Sequence, residues 1–272
     1  LRAQWEQSYT DDISLLDETL LTNTGTFYML ATSYHAPRAG YQSLTLLEGR
    51  AGEKEFKKRT LDLRDHAASE VHLAWNRDTH ALTLCGYFSD GKYSAPRGLF
   101  FTTCDDTSQT FGPLHFTPLT LQLSSSHSDL REMPIRNILL KQNGELLAIA
   151  EKSYQNTRTL SNLTPMFSSG IMMNGMTEGS RLVHEYVHNE IVLFCFKPDG
   201  SLNWSQTILK EQVTQDDNGI YSSFGLLQHR LGDAFLFSDL SSKQARLLAA
   251  YVSASGALSV KELQTNEETD PW

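Results

Sequence analysis

Residues 71–120, VHLAWNRDTHALTLCGYFSDGKYSAPRGLFFTTCDDTSQTFGPLHFTPLT, decide the fold class. Val71–Arg77, Ala81–Phe88, Arg97–Cys104 and Pro113–Thr120 are short apolar runs, separated by Asp78-Thr79-His80, Asp90-Gly91 and Gly112-Pro113. Aromatic and β-branched residues in such runs, bounded by Gly, Pro and Asp, predict four antiparallel strands joined by tight turns.

The same format recurs on either side. A unit at Ile135–Leu209 carries hairpin signals at Asn143-Gly144 and Asp199-Gly200, and one at Tyr221–Gln264 turns near Gly232, Asp239–Ser242 and Ser255-Gly256. Upstream, Phe27–His35, Tyr41–Arg50 and Phe56–Leu63 give three strands, with a fourth at Ile13–Leu21. Asn-Gly and Asp-Gly between apolar runs predict two-residue hairpin loops with both central residues at positive φ. A lone four-stranded sheet leaves an apolar face in water, so serial sheets stack face to face and leave only short edges. A repeat of roughly 45 to 75 residues built this way predicts an all-β chain, a β-propeller-like array of four-stranded antiparallel meanders. A β-sandwich is the main alternative. One domain over 1–272 is expected, with units near 13–64, 71–120, 135–209 and 221–264.

Composition narrows the function classes. The 272-residue chain carries a formal charge of −9 and lacks the clustered Lys and Arg that a phosphate backbone requires, so no nucleic-acid partner is expected. No apolar run approaches the roughly 18 residues of a spanning helix, so direct membrane insertion is not expected. The chain begins at Leu1 with no charged segment leading into an apolar stretch, which reads as a processed or partial sequence. Cys85, Cys104 and Cys195 read as buried small hydrophobes, with a Cys85–Cys104 bridge open in an oxidising compartment.

Two segments interrupt the strand rhythm. Leu121–Met133 reads as a Ser-rich connector with one helical turn capped near Ser126 or Ser128. Tyr154–Gly179 reads as a long insertion carrying Met166, Phe167, Ile171, Met172, Met173 and Met176. Such side chains gain by burial and adapt to partners, so these six are the expected binding residues of a packed flap.

One motif has a catalytic form. His184-Glu185-Tyr186-Val187-His188 matches H-E-x-x-H, which on a helix holds zinc with two imidazoles and uses the glutamate as general base. Its continuation, Asn189 to Phe196, reads as strand, where His184 and His188 share a face about 13 Å apart, too far for one zinc. The extended zinc motif also wants Gly at position 191, which is Ile, and leaves only Glu211 in a helix-like stretch downstream. No cofactor is therefore expected. Asp216-Asp217-Asn218-Gly219 resembles an acidic calcium turn and equally an Asx turn. Asn162-Leu163-Thr164 and Asn203-Trp204-Ser205 are glycosylation sequons.

The run Glu190–Trp204, continuing through Ile208–Gln212 to Tyr221-Ser222-Ser223-Phe224, is similar to a format of uncharacterised exported β-propeller-like proteins of Bacteroidota. The likeness covers about 35 residues, and Cys195 departs from it. It implies an exported chain, periplasmic, secreted or at the cell surface, and transfers no chemistry.

The expected function is a non-enzymatic binding or scaffolding module, its partner another protein of the same assembly or a glycan. The alternatives are a zinc metallopeptidase built on His184, Glu185 and His188, and a carbohydrate-binding propeller using Trp75, Trp204 or Tyr221.

Overall fold

A computed structural model describes residues 14–32, 43–53, 55–91, 93–105, 108, 110–119, 130–161, 180–229, 231–239 and 246–265. The fold is all-β, a propeller-like array of four-stranded antiparallel meanders. The first sheet runs β1 (Ser14–Leu21), β2 (Thr26–Thr32), β3 (Ser43–Arg50), β4 (Lys57–Asp62), and the second β5 (Ala67–Asn76), β6 (Ala81–Ser89), β7 (Gly98–Asp105), β8 (His115–Pro118). The third contains β9 (Ile135–Leu140), β10 (Leu146–Ser161), β11 (Ser180–Phe196) and β12 (Leu202–Ile208), with β13 (Gln212–Gln215) also paired to β11. The fourth is β14 (Gly225–His229), β15 (Gly232–Asp239), β16 (Arg246–Ser253) and β17 (Leu258–Thr265). In every sheet the four meander strands follow chain order, the outcome of local hairpin pairing, and only β13, paired to β11, departs from it among the described strands. Among the described residues the sole helical element is a 3-10 turn at Leu130–Glu132, and no helix is long and apolar enough to cross a membrane.

The turn chemistry differs from the two-residue loops expected. Lys141 N–H donates to Glu145 O and Gly144 N–H donates back to Lys141 O, which encloses three loop residues. Lys197–Ser201 and Ser253–Ala257 repeat the pattern. Only the glycines take positive φ, 84° at Gly144, 90° at Gly200 and 85° at Gly256, while Asn143 and Asp199 do not. This is a type I turn followed by a left-handed glycine. Asn143 Oδ1 and Asp199 Oδ1 accept the N–H groups of Glu145 and Ser201, so each side chain caps its turn instead.

Two compact units are distinguished, 1–150 with 192–207, and 151–191 with 208–272. In the first, β6 shows why stacked meanders pay for themselves in burial. Leu82, Leu84 and Phe88 enter one apolar cluster with Tyr28, Leu46 and Phe100, while Cys85 and Tyr87 enter another with Ile138, Leu146 and Phe194. Alternate residues thus serve two cores, as period-two side chains on a doubly covered sheet must. The register answers the cysteine question. Cys104 faces Leu82 and Cys85 faces Phe101, and the two thiols sit in different clusters, so a bridge is excluded and all three cysteines are free.

In the second unit, β15 alternates buried Phe235, Phe237 and Asp239 with half-buried Ala234, Leu236 and Ser238. Ala250 and Val252 of β16 are buried beside them, and Phe224 packs its ring 5.5 Å from that of Phe235.

Two local expectations are corrected. The strand β10 continues to Ser161, so the interruption does not begin at Tyr154. Gln212–Gln215 is strand β13, not a helix-like stretch, because its backbone pairs with β11 in register from Glu185↔Gln215 to His188↔Gln212.

Candidate functional site

Within the second unit a buried carboxylate gathers four segments of chain. Glu151 ends the apolar run Leu146–Ala150 on β10 and is wholly shielded from solvent. Its Oε1 lies 2.8 Å from Lys210 Nζ, its Oε2 lies 3.1 Å from His188 Nδ1, and Ser223 Oγ donates to Oε2 at 2.6 Å. Burial pushes the carboxyl up, but the His188 hydrogen bond, the Lys210 charge and the Lys210 and Ser223 hydrogen bonds together outweigh it and hold the group at about 2. Glu151 is therefore ionised at neutral pH and can only accept. It follows that His188 presents Nδ1–H to it.

Lys210 is equally committed. Besides Glu151, its ammonium donates to His188 O at 3.0 Å and Gln212 Oε1 at 2.6 Å. Gln212 in turn accepts Ser223 N–H at 2.7 Å and donates to Ser238 O and Oγ at 2.8 and 3.0 Å. Asp239 takes Glu211 N–H at 3.0 Å and an Arg246 guanidinium hydrogen at 2.7 Å. A network so fully connected fixes its members, since each broken bond leaves a buried polar group exposed to the low dielectric.

The segment between Gln212 and Ser223 closes over β11. Asp216 N–H donates to His184 O at 2.9 Å while His184 N–H donates to Asp216 Oδ1 at 3.0 Å, and Tyr186 Oη donates to Asn218 Oδ1 at 3.0 Å. Gly219, at φ +70°, sits so close that a Cβ there would lie 3.1 Å from His188 Nε2. Asp217 Oδ1 accepts Gly219 N–H at 2.9 Å, and φ is positive at Asp216, Asn218 and Ser223 as well. The acidic turn is thus an Asx-type turn in which Asp216, Asp217 and Asn218 side-chain oxygens accept protein hydrogens, not an open calcium loop. Its tip carries Ile220 and Tyr221, 74% and 81% exposed.

Elsewhere in this unit, β10 and β11 present hydrogen-bonding groups. Gln155 Nε2 and Thr157 Oγ1 each lie 3.1 Å from His184 Nδ1. Glu185 accepts from Arg158 at 2.6 Å and Gln215 at 3.1 Å.

The sequence-derived candidates separate on this geometry. His184, Glu185 and His188 lie on a strand, the two imidazoles have different partners, and Glu185 is ion-paired, so the helix that a zinc peptidase needs is missing here. Among the described residues no group of three or more His, Cys, Asp or Glu is placed to hold a metal ion. Trp75 donates its indole N–H to Asn23 Oδ1 at 3.1 Å and packs against the first unit's core, and Trp204 is half-buried, which leaves Tyr221 as the exposed ring of the three. Met166, Phe167, Ile171, Met172, Met173 and Met176 lie outside the described residues. Glu151 belongs to no motif, and Lys210, Gln212 and Ser223 lie in the run similar to exported propeller-like proteins, which gives them no role. The available hint was Glu151-Lys152 breaking an apolar strand run, since charges enter such strands only with partners.

No protein-family model and no curated protein matches the sequence. Solved structures that the chain is similar to include a family 117 glycoside hydrolase from Zobellia galactanivorans, at 9% identity and TM-score 0.39, covering 93% of this chain and 70% of that one. An exo-β-1,3-galactanase from Clostridium thermocellum is similar at 13% identity and TM-score 0.36, covering 89% and 60%. A family 43 β-1,3-galactosidase is similar at 11% identity and TM-score 0.36, where this chain spans only 44% of the other's length. The expected non-enzymatic scaffolding module is corrected on this finding: the similar structures are glycoside hydrolases.

Proposed function

We propose that the chain is a carbohydrate-recognising protein, with the sugar contacted by Tyr221 and by the polar row of β10 and β11. The observation that supports this most is the exposure of Tyr221 on a turn pinned at Asp216, Asn218, Gly219 and Ser223. A pyranose offers an apolar C–H face and a rim of hydroxyls, so it needs an aromatic platform whose position does not drift and fixed donors and acceptors beside it. Gln155, Thr157 and His184 supply such groups. Arg158 is already paired with Glu185, and the chain carries net −9, which favours a neutral over an acidic glycan.

Glu151 and Glu185 are both committed to ion pairs, and Glu151 holds no proton to donate at neutral pH. This surface recognises the sugar, and the acid and base of any cleavage would be other carboxylates. Export, as the Bacteroidota likeness implies, belongs to the same reading, since polymeric glycans are met outside the cytoplasm.

The test is a microarray of neutral and acidic oligosaccharides, with β-1,3-galactotriose among them. Saturable binding to a neutral glycan, lost in Tyr221→Ala, is the expected result. Absence of binding to every glycan would overturn the reading.

A further inference from the structure

Ser223 is unusual for its backbone. It holds φ at +83°, a region that L residues with a Cβ avoid and that glycine enters freely. Two contacts keep it there: its N–H donates to Gln212 Oε1 at 2.7 Å, and its hydroxyl donates to Glu151 Oε2 at 2.6 Å. The hydroxyl points to a carboxylate with no solvent exposure, so it is turned away from the surface on which Tyr221 stands two residues earlier. Backbone held in a sparse region by neighbouring contacts is the kind of strain that accompanies a positioned functional group.

We propose that Ser223 is a positioning residue for ligand recognition, fixing the reach of the Tyr221 turn by tying its C-terminal end to buried Glu151. The proposal rests on the carbohydrate reading. The N-terminal end of the turn is tied by the reciprocal Asp216–His184 hydrogen bonds and the middle by Tyr186–Asn218. Without the Ser223 hydroxyl, the C-terminal end of the stretch from Gly219 to Ser223, which carries both exposed side chains, keeps only the Ser223 N–H bond to Gln212 and the Phe224–Phe235 ring contact. Tyr221 would then sample several positions, and a sugar would have to order it on binding.

Two variants test this. Ser223→Gly removes the hydroxyl but relieves the left-handed backbone, so its melting temperature should fall less than that of Ser223→Ala. Ser223→Ala removes the hydroxyl and retains the strain. Both should speed amide hydrogen exchange in residues 216–223 and weaken binding of the glycan found on the array by about fivefold, the loss of roughly one hydrogen bond's ordering. Affinity equal to the unaltered protein in both, while Tyr221→Ala abolishes binding, would overturn the proposal and leave the carbohydrate reading standing. If Tyr221→Ala binds normally, that reading fails instead. The ligand-positioning claim then falls with it, and faster exchange in both Ser223 variants would show only that the hydroxyl orders the turn.

Discussion

Glu151 and Lys210 face each other at 2.8 Å with both side chains sealed from solvent, and each has further hydrogen-bond partners. A buried pair of this kind is weak evidence of stability against an apolar replacement, but breaking one half leaves an uncompensated charge.

Acid should act through this pair. Glu151 is held at about 2 against an ordinary 4.5, so its folded value is depressed, and the stability it contributes is complete above the unfolded value and lost as pH falls toward 2. The shift corresponds to about 3 kcal/mol as an upper bound. Urea unfolding between pH 6 and 2 should show this decline, with a shallower slope between about pH 4.5 and 2 in Glu151→Gln. An identical pH slope in the variant would show that the acid sensitivity lies elsewhere.

A second buried carboxylate governs the first unit. Glu48 is fully buried and accepts from Arg59, with Arg50 at 3.4 Å and Lys57 at 3.8 Å. Arg59 is nearly buried and Arg50 and Lys57 are half-exposed, so Arg59→Ala removes the partner that screening weakens least. Its cost should be about 3 kcal/mol, well above that of Arg50→Ala. Equal costs for the two variants would contradict that ranking.

The cysteines should be silent until the chain unfolds. Cys85, Cys104 and Cys195 are buried and unbridged, and burial pushes the Cys85 thiol up to about 12. Ellman's reagent at pH 8 should label none in the native protein and all three in denaturant without reductant. Fewer than three thiols under those conditions would point to a disulfide.

The meanders were legible because strand rhythm and turn residues are local properties, as Ala81–Phe88 with Asp78-Thr79-His80 before it shows. Gly144 and Gly200 marked their hairpins correctly, yet the loop type was missed, since Asn143 and Asp199 cap the turn with side-chain oxygens rather than entering positive φ. The candidate site was mostly illegible. Glu151, His188, Lys210 and Ser223 span more than 70 positions, and only pairing of β10, β11 and the 209–223 segment brings them together. His188 stands out in the sequence only as half of a zinc-motif match, which the strand-forming run Ile191–Phe196 already argues against, and its contact with Glu151 has no sequence signal.

Isothermal titration of the array-selected neutral glycan into the unaltered protein and Tyr221→Ala tests the carbohydrate reading most directly. Tyr221 is 81% exposed, so its removal should leave the melting temperature unchanged. The affinity should fall by at least about tenfold, the worth of one aromatic stacking platform. Equal affinity in the two proteins would contradict the account.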